Sequence, residues 1–96
     1  MTTQPIDVRH APEHNRFEVR LGDDLAELVY EQRPGTIAFL HTLVPDAFEG
    51  RGVGGALAKA GLDYAKAEEL AVVPACSFVR AYIKRHPEYQ PLVRHG

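Results

Sequence analysis

Four glycines fall within six residues at Gly50-Arg51-Gly52-Val53-Gly54-Gly55, and a helix-forming run opens directly after them at Ala56-Leu57. Glycine lets backbone N–H groups turn toward one point with no Cβ in the way. The first turn of the next helix adds unpaired N–H groups and the positive end of its dipole. Together these donors suit a phosphate or pyrophosphate. Two further side chains have types that do chemistry. Cys76 follows a short apolar run and precedes a helix start, where the dipole favours a thiolate. Its other reading is a small buried hydrophobe. His41 is the residue type best suited to take a proton near neutral pH, and its other reading is a histidine packed at a strand end.

The glycine run satisfies more than one pattern. Gly50-x-Gly52-x-x-Gly55 matches the dinucleotide fingerprint in letters, and Glu68 and Glu69 stand at about the distance of its ribose-binding acid. That fingerprint opens a βαβ unit tightly after its strand, with a large parallel sheet following. Here Pro45 to Glu49 intervene and only one short strand follows the helix, so the context argues against it. A nucleoside-triphosphate loop needs Lys-Ser or Lys-Thr after its last glycine, and this chain has Ala56-Leu57. A glycine turn that only joins strand to helix requires fewer glycines than are present.

The elements that must position these residues follow from periodicity. Residues 6–9 are expected to form a short first strand, and Pro12 and His14-Asn15 a turn. Phe17, Val19 and Leu21 alternate with polar residues, as in a half-buried strand. Leu25 to Tyr30 continues beyond the turn at Gly22-Asp23-Asp24, and Thr36 to Val44 forms the next strand beyond Arg33-Pro34-Gly35. These three strands make an antiparallel meander. From Val53 to about Glu69 the pattern is helical, with Gly61 in mid-helix as a mark of close packing. Ala71-Val72-Val73-Pro74 reads as a short central strand, parallel to the Thr36 strand through a right-handed crossover. Ser77 is expected to cap a helix from Phe78 to about Arg85, and residues 88–93 to form an extended tail. His10, His14, His86 and His95 fall in turns or tails and receive no role. The fold class is α+β, a mixed sheet with helices on its faces.

Ninety-six residues read as one domain spanning 1–96. The chain is 45% hydrophobic and 25% charged, with formal net charge -2, which argues against a nucleic-acid partner held by bulk charge. No apolar run suits a membrane span, and Met1 to Pro5 lacks the pattern of a signal peptide. A single cysteine and no Cys/His pair of ligand-like spacing point to a cytoplasmic location and to no metal.

Val44-Pro45 followed by Phe48-Glu49-Gly50-Arg51-Gly52-Val53-Gly54-Gly55-Ala56-Leu57 resembles motif A of the GNAT N-acetyltransferase superfamily. Ala81-Tyr82-Ile83-Lys84-Arg85 resembles its helical motif B. The chain is most similar to the very small GNAT-like proteins, through His41-Thr42-Leu43-Val44-Pro45 and Pro74-Ala75-Cys76-Ser77-Phe78-Val79. The resemblance covers about residues 16–93. It implies a GNAT-like fold, in which the meander is followed by a β-α-β-α unit with splayed central strands. It implies acetyl transfer from acetyl-CoA to an amine, small molecule or protein, by a monomer or weak dimer. The cofactor would meet Gly50, Arg51, Gly52, Val53, Gly54 and Gly55, and its pantetheine arm would pair with the backbone of Leu43 and Val44 between the splayed strands. The acetyl group would lie near His41 and Cys76, with Tyr82 as the acid that protonates the departing thiolate; core packing is the other reading of Tyr82. Lys84-Arg85-His86 is either a solvated helix end or a contact to the 3′-phosphate. One departure is Glu49, where the superfamily usually has Arg or Gln; it is expected to point away, with Arg51 supplying the cation. A coenzyme A or acyl-CoA binding module without catalysis is the alternative, since the chain lacks the extra N-terminal helices that usually build the acceptor site.

Overall fold

Alternating apolar and polar residues fold as four antiparallel strands: β1 (Arg9–Ala11), β2 (Arg16–Leu21), β3 (Asp24–Arg33) and β4 (Thr36–Leu43). The computed structural model describes residues 6–48 and 50–94. Leu21 pairs with Asp24 and Arg33 with Thr36, so Gly22-Asp23 and Pro34-Gly35 are two-residue hairpin turns. A 3₁₀ turn (Pro12–His14) links β1 to β2, and after β4 come a 3₁₀ turn (Asp46–Phe48), helix α1 (Val53–Ala67), strand β5 (Ala71–Pro74), helix α2 (Ser77–Arg85) and a last 3₁₀ stretch (Pro87–Leu92). β5 runs parallel to β4, and the spatial order of the sheet is β1-β2-β3-β4-β5. The result is the α+β architecture of a GNAT-like fold.

Several local expectations need correction. β5 is an edge strand rather than a central one; among the described residues its outer side meets only a single parallel bridge from Val72 to Val93 and a bond from the Arg94 N–H to the Val72 carbonyl, 2.8 Å. The first strand occupies 9–11 rather than 6–9, because His10 must reach Phe17 across the ladder. Cys76, not Ser77, is the N-cap of α2, and no side chain caps that end. Residues 88–93 are not extended. Pro87 and Pro91 each fix a helical φ, and the Tyr89 and Val93 N–H groups bond back to the His86 and Gln90 carbonyls. The reading of Met1 to Pro5, that of His95 and that of Glu49 lie outside the described residues.

Both helices lie on one face of the sheet rather than on two. Leu57, Ala58, Leu62 and Ala65 of α1 share a single core with Val79 and Ile83 of α2 and with Phe17, Leu28, Tyr30, Ile37 and Phe39 of the strands. His10 is part of this face, not of a turn: its ring stacks on Phe17 at 4.3 Å, and its Nε2 is 2.6 Å from the Tyr30 hydroxyl. α1 sits close to the sheet because Gly61 presents no side chain to Phe39 and Leu28. The helix ends in a Schellman arrangement, with the Leu70 N–H donating to the Ala65 carbonyl at 2.8 Å and Glu69 in the left-handed region at φ 56°.

The other face of the sheet carries Arg9, Arg16, Glu18, Arg20 and Glu27, by strand alternation. Glu18 is 3% exposed, yet it is covered by arginine side chains rather than by the core. Arg16 bridges it to Glu27, at 2.8 Å and 3.2 Å. Burial pushes the Glu18 carboxyl up, but the bond from Arg16 and the charges of Arg16, Arg20 and Arg9 outweigh it and hold the group below its ordinary range.

Candidate functional site

The glycine loop is shaped by backbone angle rather than by crowding. Gly50 and Gly52 have φ of 77° and 71°, and a β-carbon built on either meets nothing within 4 Å. The loop therefore faces open space. Its inner anchor is Phe48, 1% exposed; the Phe48 N–H donates to the Pro45 carbonyl, and the Arg51 N–H to the Phe48 carbonyl. Gly52 is the N-cap of α1, and the Ala56 N–H closes the first helical bond to its carbonyl at 3.0 Å. Among the described residues no backbone acceptor meets the N–H groups of Gly54 or Gly55. Among the described residues no side chain caps the helix, and its first turn contains no acid. These open donors fit a pyrophosphate. Val53 contributes only backbone here, because its side chain is in the core at 2% exposure. Arg51 is exposed beside the loop.

Glycine at position 54 has a close neighbour the sequence did not disclose. A β-carbon there would stand 2.7 Å from Cζ of Phe78, so the start of α1 packs against α2. Gly55 lies under Tyr82, whose Cε2 would be 3.7 Å from an added β-carbon.

β4 and β5 part company after four paired residues. Their ladder ends at Phe39 and Pro74, and the Cys76 N–H makes a last bond to the Phe39 carbonyl at 2.8 Å. At the same level β4 carries a bulge: Phe39 pairs with Tyr30 and His41 with Val29, leaving Leu40 as the extra residue. A bulge bends its strand and re-aims the side chains beyond it. Residues 41–43 thus have no β5 partner and present a free backbone edge on that side, fit for an extended amide-bearing chain. Leu40, Leu43, Val44 and Phe78 are the large apolar side chains left exposed around this opening.

The bulge separates two residues expected to act together. Thr42 pairs with Leu28 and lies on the helix side, while His41 pairs with Val29 and lies on the helix-free side, exposed. Cys76 is 5% exposed, and its Sγ is 3.2 Å from Thr42 Oγ1, so either atom can donate. Thr42 was not singled out in the sequence; its signal was its place in His41-Thr42-Leu43-Val44-Pro45. Tyr82 has its neighbours elsewhere. Its ring stacks on His86 at 3.9 Å and approaches Tyr89 at 6.2 Å. Burial raises the Tyr82 phenol, Lys59 opposes this, and Asp63 and Glu88 add to it. Asp63 receives the Tyr89 hydroxyl at 2.6 Å and the Lys59 ammonium at 2.7 Å, a latch between α1 and the chain after α2. Among the described residues no group of three or more His, Cys, Asp or Glu is placed to hold a metal, and no helix is long and apolar enough to cross a membrane.

Residues 16–92 match the family model of the GCN5-related N-acetyl-transferases. The chain belongs to that family. It is 42% identical to Protein NATD1 of Mus musculus over 93 residues, which covers 94% of this chain and 84% of that protein. It is similarly 42% identical to Protein NATD1 of Homo sapiens over 93 residues, covering 94% and 82%. Against Protein NATD1 of Danio rerio the identity is 33% over 95 residues, covering 94% and 86%. The GCN5-related match starts at β2 and ends in the 3₁₀ stretch after α2, so it takes in the glycine loop, the bulge and Cys76.

Proposed function

We propose that this chain transfers an acetyl group from acetyl-CoA to an amine. The observation that carries the reading is the pairing of an uncapped glycine loop with a sheet edge that opens at Cys76. Family membership points the same way. The N–H groups of Gly54 and Gly55 hold the pyrophosphate, helped by Arg51 and by the freedom of Gly50 and Gly52. The free backbone of His41, Leu43 and Val44 accepts the pantetheine arm. When bound, the cofactor supplies an acetyl group activated as a thioester. His41, on the helix-free side, takes the proton of the incoming amine. The Cys76 thiol and the Thr42 hydroxyl supply hydrogen bonds at the inner end of the opening. Tyr82 is assigned the proton for the departing thiolate on its motif position, since a phenol carries its proton at neutral pH.

The test is acetyl-CoA-dependent release of coenzyme A with a panel of amines, polyamines and peptide N-termini. His41→Ala and Tyr82→Phe are expected to lose about 10²-fold in turnover. Cys76→Ala is expected to keep substantial activity, as in direct transfer. An inactive Cys76→Ala, with an acetyl group on Cys76 of the unsubstituted protein in intact mass before acceptor is added, would replace this by a covalent route. The bare outer face of the sheet favours a second reading, a coenzyme A or acyl-CoA binding module, because no helix among the described residues walls an acceptor site there. Tight coenzyme A binding with no turnover on any amine would establish that reading instead.

A further inference from the structure

A cleft of about 300 Å³ lies at the outer edge of β5, between α2 and the 3₁₀ stretch that follows it. Its floor is apolar, from Pro74, Ile83 and Val93, and its rim carries Arg80, Lys84 and Arg94. None of these three cations is ion-paired with a carboxylate among the described residues. Two are held in place by the fold. Arg80 Nη2 donates to the carbonyls of Pro74 and Ala75 at 3.3 Å and 3.4 Å, which leaves Nε and Nη1 without a partner among the described residues. Arg94 is tied by its backbone N–H to Val72 at 2.8 Å and by Nη1 to Thr36 Oγ1 at 3.3 Å. Arg80 and Lys84 are one turn apart, and helical spacing puts them on the flank of α2 opposite Phe78 and Tyr82. Phe78 and Tyr82 are the residues that lie against the glycine loop. The cleft is therefore separated from that loop by the body of α2.

We propose that this cleft is a second binding site, specific for a small organic anion bearing two or more carboxylate or phosphate groups on a short apolar body. Three like charges around one concavity repel one another in the empty cleft, and an oxyanion relieves that repulsion. Pre-positioned guanidinium groups bind such oxygens with little further ordering. The apolar floor contacts the body of the ligand, and the volume is at the small end for organic ligands.

Titration of the uniformly ¹⁵N-labelled chain with citrate and, separately, with inorganic pyrophosphate tests this at low and matched ionic strength. Expected are saturable shifts centred on Arg80, Lys84, Val93 and Arg94, weakening as salt is raised. The double variant Arg80→Gln, Arg94→Gln is expected to bind on the order of tenfold or more weakly. It should bind coenzyme A as the parent does, because the two sites lie on opposite flanks of α2. If the double variant unfolds, Lys84→Gln alone, which alters only an exposed side chain, should still weaken binding. Binding of both probes supports the site; binding of one supports it and fixes whether carboxylate or phosphate is preferred. Shifts confined to Gly50 to Gly55, or no saturable shifts from either probe, would overturn it.

Discussion

A β-carbon on Gly61 would stand 2.8 Å from Cε1 of Phe39, so the backbone of α1 rests directly on that ring. The same β-carbon would be 3.1 Å from Cδ2 of Leu28. Phe39 and Leu28 are each 0% exposed and have nowhere to move.

Gly61→Ala is therefore expected to destabilise the fold by roughly 1–3 kcal/mol, although alanine is the better helix former. Urea unfolding of the two proteins measures this. A variant as stable as the parent would mean that α1 can lift off the sheet without loss.

Glu69 makes the opposite case. It occupies the left-handed position after α1 at φ 56°, where a side chain is strained and glycine is not. Glu69→Gly should stabilise by about 0.5–1 kcal/mol, since relief of strain exceeds the added freedom of the unfolded chain. A rise of several degrees in Tm is the expected readout.

These two residues also mark what could be read from sequence. Gly61 stands out as a glycine inside a helical pattern, so close packing was legible. β2, β3 and β4 were legible from their patterning and the parallel crossover from the helix between two apolar runs, whereas the place of β1 and the edge position of β5 were not. The bulge at Leu40 was not, because Ile37 to Leu43 alternates well enough to read as a regular strand. One extra residue there puts Thr42 rather than His41 on the helix side, and so decides which side chain meets Cys76. Gly54 was legible as part of a phosphate loop, but its contact with Phe78 depends on how α2 returns across α1, which no local pattern encodes.

The loop glycines should accordingly respond differently. Gly52→Val forces a branched residue into the left-handed region at φ 71° and should abolish coenzyme A binding with the sheet intact. Gly54→Ala strikes the far end of Phe78, a ring 43% exposed and free to swing outward, so the fold should survive with an altered α1–α2 contact. Calorimetry with coenzyme A, alongside circular dichroism, separates the two outcomes. Unchanged binding in both variants would reduce the loop to a connector.

Stability should also depend on pH in two separate windows. Burial among Phe17, Tyr30 and Tyr64 lowers His10 below its ordinary value of 6.5, against the opposing charge of Glu13. The unfolded chain then takes up this proton first as pH falls. The contribution is present above about 6.5 and is lost as pH drops through the folded value below it. His10→Phe should flatten this slope. Glu18 is lowered too, so its contribution is present above its ordinary 4.5 and is lost only at more acid pH. Denaturation midpoints measured from pH 8 to 3 should show both steps, and a flat profile above pH 5 in the parent would contradict the assignment to His10.

The order β1-β2-β3-β4-β5 in space is also the order along the chain. No strand is inserted between two that precede it, so each new strand finds its partner already in place at the growing edge. A 3₁₀ turn (Pro12–His14) joins β1 to β2, two-residue hairpins join β2 to β3 and β3 to β4, and only the β4–β5 pairing must wait for an α-helix to form. The sheet can therefore be laid down vectorially, from the amino end, as the polypeptide leaves the ribosome. Its single slow junction is the one at which the strands later diverge around Cys76.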